Sequence, residues 1–386
     1  MQTTRTLLTS WCLTACALLT ADLTAQTDAT QVAQEQPVDV KAFDDGPYVF
    51  WETPTDALLL GHLDGKVVST RVADITEPVE MRTPYPGVPT VHLNPGGYTP
   101  SASTWPMPDR LLVVSDLEGN HDTFLEFLRT NGVIDEKGKW AWGKGHLVFD
   151  GDIVDRGDKV TEILWLIQRL EREAKAAGGR VHYVLGNHET MVLAGDLRYI
   201  HPKYQVTSER MGKSYEALFG PDTELGRWLR SHNSVVRIGD FLFVHAGYSP
   251  ELDTLGLDRD EINQRIRDTI GPPAWPERDQ LGPHLIWHQQ GPMWYRGHFD
   301  TYAAQWGGKP TDEQLDAILE RNEAKHIVIG HTVVDDIGWL DAKKRVLGID
   351  VKWSKPGEGE GLLVEDGVIH AVDMAGKKRT IQVIQP

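Results

Sequence analysis

The sequence predicts a layered α/β fold, with mixed β-sheets flanked by helices and a small β-rich region ahead of them. Two observations carry this. From Arg110 onward short apolar runs recur: Leu111 to Val114, Leu147 to Phe149, Val181 to Leu185, Phe241 to Val244 and Ile327 to Ile329. Each has the length of a buried strand and ends in polar residues. Between the second and third runs, Val160, Ile163, Leu164, Ile167 and Leu170 recur at helical spacing, the core-facing stripe of an amphipathic helix. Strands alternating with helices, followed by further strands, pack as layers around one core.

The elements follow in chain order. Residues 1–25 read as an export signal: Arg5 gives a positive start, Leu7 to Leu19 an apolar stretch, and Leu23-Thr24-Ala25 a cleavage site before Gln26. Leu13-Thr14-Ala15-Cys16 also looks like a lipobox with Cys16 as lipid acceptor, but Ala17-Leu18-Leu19 fits that reading badly. Both readings place the chain in the periplasm or cell envelope. The two cysteines are Cys12 and Cys16, so cleavage after Ala25 leaves neither a disulfide nor a cysteine metal site. No later stretch reaches the ~20 apolar residues of a membrane span.

Residues 26–45 are polar, carry no apolar period and read as a disordered lead-in. Residues 46–108 form a small β-rich region and linker. Tyr48 to Trp51 is one strand, and Ala57 to Leu63 turns at Asp64-Gly65 into Lys66 to Val72 as a hairpin. Pro84, Pro86, Pro89, Pro95, Pro100, Pro106 and Pro108, with Gly96-Gly97, mark residues 83–108 as a linker or irregular covering loop. Residues 109–386 form the main domain. Late in it, Gly361 to Val364 and Val368 to Val372 flank Asp366-Gly367 as a second hairpin. A net charge of −17 argues against nucleic acid as a partner, because that binding rests on basic residues displacing counterions. Small phosphorylated ligands remain open to a local cationic pocket or to bound metals.

The chemistry lies at the strand ends. The five runs lead into Ser115-Asp116-Leu117-Glu118-Gly119-Asn120, Asp150-Gly151-Asp152-Ile153-Val154-Asp155-Arg156-Gly157, Gly186-Asn187-His188-Glu189, His245-Ala246-Gly247 and Gly330-His331-Thr332. Loops at the carboxyl ends of neighbouring strands converge on one crevice. Carboxylate, amide and imidazole groups gathered there suit a pair of metal ions. Any one of these motifs alone reads as a turn or a surface salt bridge; five in this order, each at a strand end, do not.

On these residues the chain resembles the calcineurin-like metallophosphoesterase superfamily over roughly residues 110–370. Gly151 to Gly157 (preceding Gly included, GDIVDRG) and GNHE at 186–189 resemble its phosphoprotein phosphatase branch, particularly the bacterial and Shewanella-like members. The resemblance implies a metallophosphatase sandwich holding two metal ions, Mn2+ foremost, with Fe or Zn as alternatives. It implies that Asp152 bridges both metals, that Asp116 binds the first, and that Asn187, His245 and His331 bind the second. His188 would protonate the leaving oxygen, with Asp155 holding its imidazole. Arg156 and Arg296, the latter in Met293-Trp294-Tyr295-Arg296-Gly297, would grip the phosphoryl oxygens; a packed, salt-bridged Arg296 is the alternative. A metal-bridging hydroxide would attack phosphorus directly, making the chain a metal-dependent phosphoric monoester hydrolase without a covalent intermediate.

The family has a histidine where this chain has Glu118. Either Glu118 ligates the first metal through oxygen, which is the preferred reading, or that metal is weakly held and His121 is a partial substitute or simply a surface residue at a helix start. Asp350 ends another apolar run; lining the site is open to it, and direct catalysis is not expected of it. Three functions follow: an exported phosphomonoesterase acting on phosphoprotein, phosphopeptide or a small phosphoester; a nucleotide or dinucleotide phosphohydrolase; or a catalytically weak envelope binding protein.

Overall fold

The computed structural model describes Asp39, residues 43–271 and residues 280–384. The expected export segment 1–25 lies outside the described residues, as does the lead-in apart from Asp39 and residues 43–45.

Three strands open the described chain: β1 (Asp45–Trp51), β2 (Ala57–Leu63) and β3 (Lys66–Val72) form an antiparallel sheet. Just ahead of the proline-rich segment lies β4 (Val79–Arg82); within that segment, expected to be a linker or irregular, β5 (Thr90–Leu93) pairs with β4 and β6 (Thr104–Trp105) joins a larger sheet. Prolines there fall outside the pairing residues, so no ladder hydrogen bond is lost.

The main body runs β7 (Arg110–Val114), α1 (His121–Thr130), β8 (His146–Asp150), α2 (Val160–Ala176), β9 (Arg180–Val184), α3 (Asn187–Ala194), α4 (Pro202–Met211) and α5 (Glu224–Leu229). It continues through β10 (Val235–Ile238), β11 (Phe241–Val244), α6 (Pro250–Thr254), α7 (Arg259–Thr269), α8 (Asp300–Ala303), α9 (Asp312–Arg321) and β12 (His326–Ile329). It closes with β13 (Gly338–Trp339), β14 (Val346–Gly348), β15 (Glu360–Glu365), β16 (Val368–Asp373) and β17 (Lys378–Val383).

Two six-stranded mixed sheets result, ordered β17-β16-β15-β7-β8-β9 and β13-β14-β12-β11-β10-β6. In the first, β7, β8 and β9 are parallel, with α1 and α2 as their crossovers. In the second, β11, β12 and β14 are parallel. Alternate residues explain why these strands read as unbroken apolar runs. Leu111, Val113, Val148 and Val184 pack between the sheets against Val236, Phe243, Val328 and Leu347. Leu112, Val114, Leu147 and Phe149 face the other way, into a core shared with Phe124 and Phe127 of α1 and Ile163 and Ile167 of α2. A strand buried on both faces gains nothing from polar alternation.

The front sheet packs onto this body through buried polar contacts. The Tyr48 hydroxyl meets Thr161 Oγ1 of α2 at 2.9 Å, the Trp165 indole donates to the Pro47 carbonyl at 3.0 Å, and the Trp51 indole donates to Glu224 at 2.6 Å. Among the described residues no helix is long and apolar enough to cross a membrane.

Candidate active site

The parallel strands of both sheets deliver their carboxyl ends to one place. Asp116 and Asp152 follow β7 and β8 in the first sheet; His245 and His331 follow β11 and β12 in the second. Backbone bonds lace the loops together. Asp116 N–H donates to Gly151 O at 3.0 Å, Glu118 N–H to Asp152 O at 3.0 Å, Gly157 N–H to Glu118 O at 2.8 Å and Arg156 N–H to Tyr199 O at 2.8 Å. The path is tight: Asp116, Glu118, Asp152, Asp155, Arg156 and His331 all hold left-handed backbone, with φ between 44° and 73°. Such conformations cost about 1 kcal/mol or more each for non-glycine residues and gather at functional sites. Glycine is required where these loops touch. A Cβ on Gly186 would lie 2.2 Å from Asp152 Oδ1, and one on Gly330 would lie 2.4 Å from Asp116 Oδ2.

Asp152, His245 and His331, all buried, bring potential ligand atoms within 4.8 Å of one another. His245 donates Nδ1–H to the Asp150 carbonyl at 2.7 Å, which turns Nε2 toward Asp152 Oδ2 at 3.0 Å and Asn187 Oδ1 at 3.1 Å. Burial opposes charge on His245, but the Asp152 carboxylate outweighs it and lifts the imidazole to about 10. His331 goes the other way: burial, then the Arg296 and His245 charges, hold it well below the ordinary histidine range. Its Nε2 is buried without a protein partner, while its backbone N–H donates to both Asp116 oxygens at 3.2 and 3.1 Å. A neutral imidazole with an orphaned nitrogen, a second imidazole with Nε2 aimed at a carboxylate, and an amide oxygen form a donor set that fits a divalent metal ion.

The acid–base pair stands beside this cluster. His188 shares its Nδ1 hydrogen with Asp155 Oδ2 at 2.7 Å, leaving Nε2 facing Asp152 Oδ2 at 3.8 Å. Burial lowers the His188 pKa, but the Asp152 charge and the Asp155 bond raise it further, so the net direction is up. Arg156 lies over the Tyr199 ring at 5.3 Å, and Arg296 over Tyr302 at 5.4 Å with a 2.9 Å bond to Thr332 Oγ1. Its bond to Thr332, the residue after His331, ties Arg296 to the loop after β12.

The carboxylate of Glu118, expected at the first metal, pairs with the Arg156 guanidinium; the three-residue cluster contains neither Glu118 nor Asp116, the two residues expected at the first metal alone. His121 bonds Asp122 at 3.0 Å at the start of α1 and is not in that cluster either.

Two residues without an assigned role stand out. Glu189 is fully buried, and its carboxylate accepts from Asp152 N–H (3.0 Å), Ile153 N–H (2.8 Å), Val154 N–H (3.3 Å), Gly186 N–H (2.7 Å) and the Tyr183 hydroxyl (2.9 Å). It joins the loop carrying Asp152 to the amino end of α3, which carries Asn187 and His188. The sequence signal was its place as third residue of α3, where a carboxylate reaches back to cap free N–H groups. Asp150 is buried with both oxygens unpartnered in the protein, and burial pushes its carboxyl well up. Nothing in the local sequence marked it.

The family model for calcineurin-like phosphoesterases matches residues 109–335. Shewanella-like protein phosphatase 2 of Arabidopsis thaliana is 27% identical over 297 residues, covering 66% of this chain and 74% of the relative. A symmetrical bis(5'-nucleosyl)-tetraphosphatase of Glaesserella parasuis is 33% identical over 147 residues, 36% of this chain and 46% of the relative. Among solved structures, the cold-active protein-tyrosine phosphatase of a psychrophilic Shewanella species superposes with a TM-score of 0.79 at 32% identity, covering 88% of this chain and all of that one (100%).

Proposed function

The chain belongs to the calcineurin-like phosphoesterase family, and from that premise we propose that it is an exported, metal-dependent phosphomonoesterase acting on phosphorylated protein or peptide. The observation that carries this is the buried Asp152–His245–His331 cluster beside the His188–Asp155 pair. Its relatives' names supply the protein substrate; the apolar stretch in residues 1–25 supplies the export.

Asp152, Asn187, His245 and His331 would hold a metal ion, with Asp116 and Asp152 toward a second. Bound there, divalent ions supply Lewis acidity and neutralise phosphoryl charge. Arg156 and Arg296 orient the phosphoryl oxygens with planar, donor-rich groups and add positive charge where the transition state is negative. His188 holds a proton on Nε2 for the leaving oxygen, and Asp155 fixes the ring by accepting Nδ1–H. Glu189 keeps the Asp152 loop and α3 in register. Glu118 orients Arg156, and an incoming phosphate competes with it for the guanidinium.

A dinucleotide phosphohydrolase is the second reading, favoured by the nucleosyl-tetraphosphatase likeness over about a third of the chain. Purified chain loaded with Mn2+ and offered phosphopeptides, p-nitrophenyl phosphate and diadenosine tetraphosphate separates the two. The proposal expects phosphate release from phosphopeptide that a chelator abolishes. Turnover confined to the dinucleotide favours the second reading, and chelator-insensitive turnover contradicts both.

A further inference from the structure

We propose that Tyr199 is a positioning residue for phosphoryl binding: its ring holds the Arg156 guanidinium and keeps it available to phosphate against the pull of Glu118. The proposal rests on the reading of this crevice as a phosphoryl-transfer site.

The chain turns back onto the site just after α3. Gly195 takes left-handed backbone (φ 81°). Asp196 N–H donates to Met191 O at 2.9 Å and Gly195 N–H to Val192 O at 3.1 Å, the pair of bonds that closes a Schellman motif. Four residues beyond Gly195, the Tyr199 carbonyl accepts the Arg156 N–H at 2.8 Å. Arg156 itself has a φ of 54°, so both its backbone and that of Tyr199 are fixed where the two side chains meet.

The Arg156 guanidinium carbon lies 5.3 Å from the Tyr199 ring centroid, and the His188 ring lies 5.2 Å from it. Arg198 is a second cation at the same ring, at 5.5 Å, and Asp196 holds it through two 2.8 Å bonds. Tyr199 is 39% exposed, so these contacts place its ring, not enclosure in the core.

Two groups therefore hold the Arg156 guanidinium in different ways. Glu118 pairs with it as an anion and occupies the N–H donors that a phosphoryl group also requires. The Tyr199 ring attracts the cation through its quadrupole and occupies none of those donors. An incoming phosphate displaces Glu118 while the ring keeps the guanidinium in place.

The rival role for the ring is packing against His188 alone. A double-mutant cycle on the Mn2+-loaded full chain distinguishes the two, reading the Ki of inorganic phosphate against p-nitrophenyl phosphate turnover, with KM and kcat taken separately. Tyr199→Leu removes the ring and keeps the carbonyl that holds Arg156. It is expected to raise Ki and KM about two- to fivefold, the reach of one partly exposed cation–π contact, with kcat changed less than KM. Tyr199→Phe, which keeps a ring, restores Ki. In an Arg156→Ala background, Tyr199→Leu leaves Ki unchanged, because the group it acts through is gone. An equal rise in both backgrounds, or no rise in either, overturns the proposal. A fall in kcat with Ki unchanged also overturns it and assigns the ring to His188. Arg156→Ala with wild-type Ki overturns the phosphate-gripping role beneath the proposal, and a wild type without chelator-sensitive turnover overturns the active-site reading itself.

Discussion

Glu189→Gln exchanges one acceptor oxygen for an amide NH2 at a point where the structure offers five donors. Glu189 Oε2 receives Asp152 and Gly186 N–H, and Oε1 receives Ile153 N–H, Val154 N–H and the Tyr183 hydroxyl. The amide retains one acceptor atom in either orientation. In the less damaging one, the NH2 replaces Oε2 and faces two buried backbone N–H groups. Each orphaned buried donor costs about 1–3 kcal/mol, so a loss of about 2–6 kcal/mol is expected. The assay is urea unfolding of chelator-treated protein followed by tryptophan fluorescence, with the denaturant slope unchanged if both states keep their compactness. Because the orphaned groups include the Asp152 N–H itself, kcat/KM falls about a hundredfold, the effect of displacing a reacting group by ~1 Å. A variant within 0.5 kcal/mol of wild type and with wild-type kcat/KM would refute the reasoning, since the five bonds would then carry neither stability nor position.

Three further outcomes follow from other contacts. Asp155→Asn weakens the grip on His188 Nδ1–H and lowers kcat about a hundredfold on alkyl phosphates. The loss is smaller with p-nitrophenyl phosphate, whose leaving group needs no proton; equal losses on both would count against His188 as the acid. Glu118→Gln releases Arg156 from a partly exposed ion pair worth up to about 1 kcal/mol. Steady-state kinetics should show KM falling about two- to fivefold, and a rise in KM would show that Glu118 helps more by orienting Arg156 than it hinders by competing. His146 Nδ1 and His182 Nε2 lie 3.1 Å apart between the sheets; burial holds His146 at about 4 and His182 well below 6.5. Their folded values lie below the unfolded one, so the unfolded chain binds more protons and stability falls as pH drops from 6.5 toward 4. His146→Gln should flatten that loss by on the order of 2 kcal/mol in urea melts at pH 7 and 4.5, and parallel pH dependences would contradict it.

The parts legible in sequence are those that local pattern encodes. Val160 to Leu170 at helical spacing became α2, and the turns at Asp64-Gly65 and Asp366-Gly367 joined β2 to β3 and β15 to β16. The apolar runs became strands, and the polar residues after them converged. A run buried on both faces does not say which sheet it joins. That Leu111 faces β11 across the sandwich while β11 belongs to the other sheet follows only from contacts between residues more than a hundred positions apart. β6 and β13 escaped for a simpler reason: Thr104–Trp105 and Gly338–Trp339 are too short to set a period. Within the site, residue types marked the donors but not their partners. Glu118 and Arg156 are 38 positions apart in sequence, and their pairing depends on the left-handed turns that bring the loops after β7 and β8 together. Asp150, beside Gly151, carried no assigned role in the sequence. The structure instead uses its carbonyl to orient His245.

The central claim is that these separate loops gather two cations at Asp152. Anomalous diffraction from manganese-loaded crystals tests it most directly. Two anomalous peaks sharing the Asp152 carboxylate are expected, one of them also enclosed by Asn187, His245 and His331. No peak beside Asp152, or a single peak away from both histidines, would contradict it.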